Sequence, residues 1–332
     1  MPSLGVPDGG FRTQSRQAFL NWLFDNQNSL FWPGMGNTFF VDPASGSDNS
    51  DGTTPATAKA TLSAAYNLTT SGNNDVVVLI GDGTTAATAR VDSAFTWSNN
   101  ATHLFGTCSP VLFSQRARIA PTSTTTAFTP FFTISGNGCI FQNIQWFHGF
   151  GTGTTNQICM VVTGSRNYFQ NCHIAGMGDT ASAQSAGSRS LKIGGSGAGE
   201  NVFDSCVLGL DTVVSTQANA TIEFTGGAVR NVWRNCIFPR AGASGTLYVI
   251  GSAASCLDRY NYFDQCTFSE FNTKITAIAT LAASAGGTLS FKDCSLLNIT
   301  GFGSDATTRA QILIEGGTPA AATTGLAVAP TA

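Results

Sequence analysis

Short apolar runs recur along this chain, separated by stretches rich in Gly, Ser, Thr and Asn. They read VVVLI (76–80), QICMVV (157–162), RSLKI (189–193), ATIEF (220–224) and TLYVI (246–250). The last four are each followed closely by a glycine: Gly164, Gly194, Gly226 or Gly251. Runs of this length, β-branched and bounded by turn residues, predict buried strands. A second pattern fills the intervals: GCIFQNIQW (138–146), NYFQNCHI (167–174), NVFDSCVL (201–208), NVWRNCIF (231–238), NYFDQCTF (261–268) and LSFKDCSL (289–296).

These six segments align without gaps. With Cys236 as origin, the position holds Ile144, Cys172, Cys206, Cys236, Cys266 and Cys294, in steps of 28, 34, 30, 30 and 28 residues. Three residues earlier stand Phe141, Phe169, Phe203, Trp233, Phe263 and Phe291. Two residues later stand Trp146, Ile174, Leu208, Phe238, Phe268 and Leu296, and five residues earlier four copies carry Asn167, Asn201, Asn231 and Asn261. A period near thirty built from short strands predicts a solenoid whose coils stack about 4.8 Å apart. Helical repeats would need apolar residues at i, i+3, i+4 and i+7, which the copies lack. Like residues then form ladders. Aromatics fill the interior by offset stacking, Cys packs as a small buried hydrophobe, and Asn suits bends and can bond its own counterpart one coil away.

The motif N-[VY]-[FW]-x-N-C-x-[IF] resembles a coil of the pectate-lyase-like right-handed parallel β-helix superfamily. The segment NTFFVDPASGSDNSDGTTPATAKATLSAAYNL (37–68), followed by VVVLIGDG (76–83), is similar to the opening of many such proteins, including phage and bacterial surface proteins. The resemblance implies an all-β fold: a single-stranded right-handed parallel β-helix with an N-terminal capping helix and a short N-terminal helical arm. In the cap, Thr54 and Pro55 are the expected N-cap and first turn, with Ala58, Leu62, Ala65 and Tyr66 as one apolar face. The expected organisation is an arm over 1–36, the β-helix over 37–300 with its cap in 37–75, and a C-terminal strand and low-complexity tail over 301–332. The arm holds a short helix within 11–32, where Phe19, Leu20, Leu23 and Phe24 leave little polar surface. It either packs on its own solenoid or serves as an attachment or subunit contact. AQILIEGG (310–317) reads as a last strand.

Composition narrows the function. Only 11% of the 332 residues are charged, against about 25% in typical soluble domains. A net charge of −3 without Lys or Arg runs argues against nucleic acid or an anionic membrane surface as partner. No apolar run is long enough to span a bilayer, and the N-terminus lacks the pattern of a secretion signal. The nine cysteines contain no CxxC pair and read as mostly reduced thiols in a chain made in a reducing cytoplasm.

Possible chemistry rests on few residues. The position after each core aromatic should face outward and carries Gln142, Gln170, Asp204, Arg234, Asp264 and Lys292. Asp204 and Asp264, two coils and so about 9.6 Å apart, are the candidate catalytic pair. Arg234 between them and Lys292 beyond make an exposed charge ladder the simpler reading. A lyase of this fold would be expected to show a calcium-binding Asp cluster beneath a basic residue; Arg240 stands alone and no such cluster is evident. Asp48 and Asp51 in SGSDNSDGT (45–53) are candidate cation ligands, but lack the twelfth-position Glu of an EF-hand loop and fit capping better. His103, His148 and His173 are too scattered for a metal set. No cofactor is expected.

The expected function is that of a bacteriophage virion structural protein, a capsid decoration or cement protein that binds and stabilises the assembled shell. The resemblance implies a homo-oligomer, a trimer by analogy, with the major capsid protein as partner, assembled in the host cytoplasm and located in the virion. The alternatives are a tailspike-like polysaccharide depolymerase or lyase, and a glycan-binding tail protein without catalysis.

Overall fold

The computed structural model describes residues 36–315 except 110, 115–116, 123–128, 150–155, 196, 216–218 and 244–246. The expected arm helix within 11–32 and the tail beyond 315 lie outside the described residues.

The described chain winds through three parallel sheets. One coil shows the path: Ile140–Gln142 lies in the first sheet, Gln145–Phe147 in the second and Ile158–Val162 in the third. The chain then returns to the first at Tyr168–Gln170. The first sheet runs from Thr38–Val41 through Val76–Ile80 and His103–Thr107 to Leu257–Asp264, Gly287–Lys292 and Ile312–Glu315. All pairings are parallel, and the repeat register is the observed one: Phe141 pairs Phe169, which pairs Phe203, then Trp233, Phe263 and Phe291. This is the parallel β-helix that the repeat predicts. Because Ile312–Glu315 pairs Gly287–Lys292 as the last strand of the first sheet, the solenoid extends into the segment assigned to a C-terminal strand and tail.

The corners explain the motif. Between first and second sheets a single residue turns the chain in the left-handed region: Asn143, Asn171, Ser205, Asn235, Gln265 and Asp293, with φ between 48° and 58°. Short polar side chains tolerate this conformation where a β-branched one would clash. The next residue points inward as Ile144 or a cysteine, each of which is closed to solvent except the half-buried Cys294. All nine cysteines are free thiols. The ladder thiols Cys172, Cys206, Cys236, Cys266 and Cys294 lie 3.3–3.5 Å from the carbonyl of the aromatic one coil back, on Phe141, Phe169, Phe203, Trp233 and Phe263.

The second Asn column sits where the third sheet returns to the first, and its own residues do not take the left-handed conformation. Arg166, Glu200 and Arg230, each one residue earlier, do so instead. Asn167, Asn201, Asn231 and Asn261 are buried and chained by hydrogen bonds. The Asn201 Nδ2 donates to Asn231 Oδ1 at 3.0 Å and Asn231 Nδ2 to Asn261 Oδ1 at 2.9 Å. Their amides also reach the glycine turns, as in Asn201 to the carbonyl of Gly164. They therefore satisfy buried backbone rather than bend it.

Inside, the aromatic column is continuous. Ring centroids of Phe141, Phe169, Phe203, Trp233, Phe263 and Phe291 are 4.8, 4.4, 5.3, 4.6 and 4.9 Å apart along the column, with planes within 14° of parallel. Phe238 and Phe268 stack likewise at 4.5 Å in the second sheet.

The cap is broken in two. Thr54 caps only a 3-10 turn, Pro55–Thr57, through a reciprocal box with Thr57. The helix is Leu62–Tyr66, and its N-cap is Thr61, whose hydroxyl accepts from the Ala64 N–H. The expected continuous helix from Thr54 fails because 58–60 run extended, with Lys59 bridging Val41. Ala58, Leu62, Ala65 and Tyr66 are nonetheless all buried. No helix among the described residues is long and apolar enough to cross a membrane.

Candidate functional site

The outward row of the first sheet carries Gln142, Gln170, Asp204, Arg234, Asp264 and Lys292 in adjacent strands, followed by Glu315. Asp204 is fully engaged. Its Oδ2 accepts from Arg234 Nη2 at 2.6 Å, Arg234 Nε at 3.2 Å and the Tyr168 hydroxyl at 2.9 Å. The carboxylate holds the Arg234 guanidinium above its ordinary pKa, and burial together with Asp204 pushes the Tyr168 phenol up to about 12. Arg234 leans onto Asp204 and makes no ion pair with Asp264, whose Oδ1 is closed to solvent and has no hydrogen-bond partner. The two candidate carboxylates thus sit on one face with a cation between them.

Asp48 and Asp51 organise the cap loop. Asp48 accepts from the N–H groups of Ala60 and Thr61 and from the Thr61 hydroxyl, at 2.8–2.9 Å. Asp51 accepts from the Thr53 N–H and the hydroxyls of Thr53 and Thr57, and these bonds hold its carboxyl below the usual range. The Lys59 ammonium donates to the carbonyls of Asp48 and Ser50. An ammonium therefore stands where a loop cation would bind. Among the described residues no three His, Cys, Asp or Glu side chains gather as a metal set.

The histidines are separate and buried. His173 Nδ1 accepts from the Ser114 N–H and lies 3.1 Å from Gln145 Nε2, while Nε2 faces the Gly209 carbonyl at 3.0 Å. An open groove of about 580 Å³ lies between Gly81–Gly83 and Thr107–Ser114. Its Asp82 is committed to the N–H and hydroxyl of Thr84. Burial raises the interior thiols, Cys139 to about 11, so they are protonated packing groups and not nucleophiles.

A group that the sequence did not single out lies on the third sheet, at Arg189, Lys192 and Glu223. Glu223 is buried against Arg189 Nε (3.2 Å), Lys192 Nζ (3.1 Å) and the Ser252 hydroxyl (2.6 Å). Burial works to raise its pKa, but these partners outweigh it and the net shift is downward. One coil further, the Arg240 of FPRAG is buried. It bonds the Leu247 carbonyl and Asn219 Oδ1, and lies 5.8 Å from the Tyr248 ring centroid. Burial lowers its pKa to about 10. Glu270, its register partner, accepts from the N–H groups of Gly242 and Asn272. Burial raises the Glu270 carboxyl. Charges inside RSLKI and ATIEF at matching strand positions were the available signal, since Lys192 and Glu223 are register partners.

No protein-family model and no curated protein matches this sequence. Solved structures do. A pectin methylesterase in complex with a hexasaccharide is 14% identical, with 87% of this chain and 92% of that chain covered at a TM-score of 0.54. Pectin methylesterase PemA from Erwinia chrysanthemi is likewise 14% identical over the same shares, at 0.53. ORF18 of Geobacillus virus E2 is 12% identical, covering 87% of this chain and 56% of that one, at 0.45. The likeness to the esterases is one of fold: this chain too is a parallel β-helix.

Proposed function

We propose that this chain is a structural component of a bacteriophage virion, a capsid decoration or cement protein acting as a homotrimer on the assembled shell. The observation that carries the reading is the use made of its outward carboxylates. Asp204 is tied to Arg234 and Tyr168, and Asp48 and Asp51 to loop amides and hydroxyls, so three of the four carboxylates that could have served a reaction serve the scaffold, and Asp264 is left without its pair. The repeat's resemblance to virion β-helices supports the same reading. The mechanism is linkage: a protein that binds only the assembled shell stabilises it by RT ln(1 + [L]/Kd), about 2.7 kcal/mol when its free concentration is 100 times Kd.

The test adds purified protein to shells that lack it. Saturable co-sedimentation and a higher shell-disruption temperature are expected. Failure to bind any particle, together with release of reducing ends from surface polysaccharide that Asp204→Ala or Asp264→Ala abolishes, overturns the proposal in favour of a depolymerase.

A further inference from the structure

The cysteine column does not end as it runs. Cys172, Cys206, Cys236 and Cys266 are closed to solvent. Cys294 is half-buried. The strand that follows it, Ser295–Leu297, is the last of the second sheet among the described residues. The last thiol of the column is therefore the one that a small molecule in solution can reach. Cys108, the other half-buried thiol, stands outside the column against Asn143.

The register sets Cys294 opposite Cys266. Asp264 pairs Lys292 and Thr267 pairs Ser295, so the two cysteines between them hold matching places on adjacent coils. Neighbouring strands put their Cα atoms about 4.8 Å apart, inside the roughly 4.4–6.8 Å that a disulfide spans. The Cys294 thiol also leans towards the coil that holds Cys266, with its Sγ 3.4 Å from the Phe263 carbonyl. Cys266 leans in the same sense, towards the Trp233 carbonyl at 3.5 Å.

We propose that Cys294 and Cys266 form an oxidation site, which a small disulfide such as oxidised glutathione closes into a covalent pin between adjacent coils. The Cys294 thiolate attacks one sulfur of the oxidant, forming a mixed disulfide and releasing one glutathione thiolate. The Cys266 thiolate then attacks the Cys294 sulfur and expels the second. The two cysteine protons end on the two released thiols, and the two electrons that the cysteines lose reduce the disulfide of the oxidant. The Cys266 thiol beside it and burial both raise Cys294, so the first step is slow at neutral pH and quickens as pH rises. The inference is independent of the virion reading.

The test incubates the folded full chain with oxidised glutathione at pH 8, quenches with acid and maps the cysteines by mass. A loss of two hydrogens that maps to a Cys266–Cys294 link and is reversed by dithiothreitol is expected, with Cys172, Cys206 and Cys236 alkylated only after unfolding. Cys266→Ala removes the resolving thiol and should stop the reaction at one glutathione on Cys294. Cys294→Ala should leave Cys266 unreacted. Should Cys266→Ala not fold, the map of the parent chain decides alone. A parent chain that keeps glutathione on Cys294 or links Cys294 to another cysteine overturns the proposal. So does one that leaves Cys294 free after the urea-unfolded chain has reacted fully.

Discussion

At the scale of single residues, the ladders separate positions that must be filled from positions that need only be polar. Trp233 is wholly buried between Phe203 and Phe263. Trp233→Ala should lower stability by about 3–5 kcal/mol, read as a shift of the urea midpoint. The exposed bridge is different. Arg234 is 47% exposed at its side chain, so a double-mutant cycle of Arg234→Ala and Asp204→Ala should yield a coupling of only about 0–1 kcal/mol. The histidines give a pH dependence. Burial pushes His103 and His173 down to about 4, and a proton on His173 Nδ1 would face the Ser114 N–H that now donates to it. An unfolded histidine titrates near 6.5. The unfolded chain therefore binds more protons between the two values, and stability is retained above about 6.5 and lost as pH falls towards about 4. Urea midpoints measured at pH 4.5 and 7.5 should differ in that direction, and His173→Gln should reduce the difference.

At the scale of the coil, two kinds of Asn do unlike work. Asn235 turns the chain at φ 53°. Asn235→Gly should be nearly neutral, whereas Asn235→Val should cost about 1–2 kcal/mol through left-handed strain. Asn231 closes hydrogen bonds on both neighbouring coils. Its loss in Asn231→Ala should cost about 1–3 kcal/mol for each buried group left unsatisfied, and so exceed Asn235→Gly. Thermal unfolding of both variants side by side checks the order. The motif's two Asn columns and the bonding of Asn to its counterpart one coil away were legible in the sequence. Which column turns the chain was not, and only the backbone placed the left-handed residue before Asn231 at Arg230.

At the scale of the whole molecule, the solenoid is a stack in which each coil rests on its neighbours, so local changes stay local. Its outer surfaces are not equivalent. The first sheet passes from an apolar to a charged face, and the corner into the third sheet holds Arg189, Glu223, Arg240 and Glu270 out of water. Breaking that corner with Glu223→Ala leaves Arg189 buried without its carboxylate and should destabilise by about 3–5 kcal/mol. Denaturant titration should show this as a loss well beyond that of Arg234→Ala.

What the sequence determined by itself was everything that repeats. A thirty-residue period with aromatic, Cys and Asn at fixed offsets admits one stacking register, because a single-residue slip would turn the whole column of rings outward. Only the tertiary structure decided what does not repeat. It placed Arg240 inside, cut the cap helix at Thr61, and set Lys59 in the loop of Asp48 and Asp51. Those outcomes depend on contacts outside the repeat: Arg240 meets Leu247 and Asn219, and Lys59 meets Asp48, Ser50 and Val41, neighbours that no periodic pattern encodes.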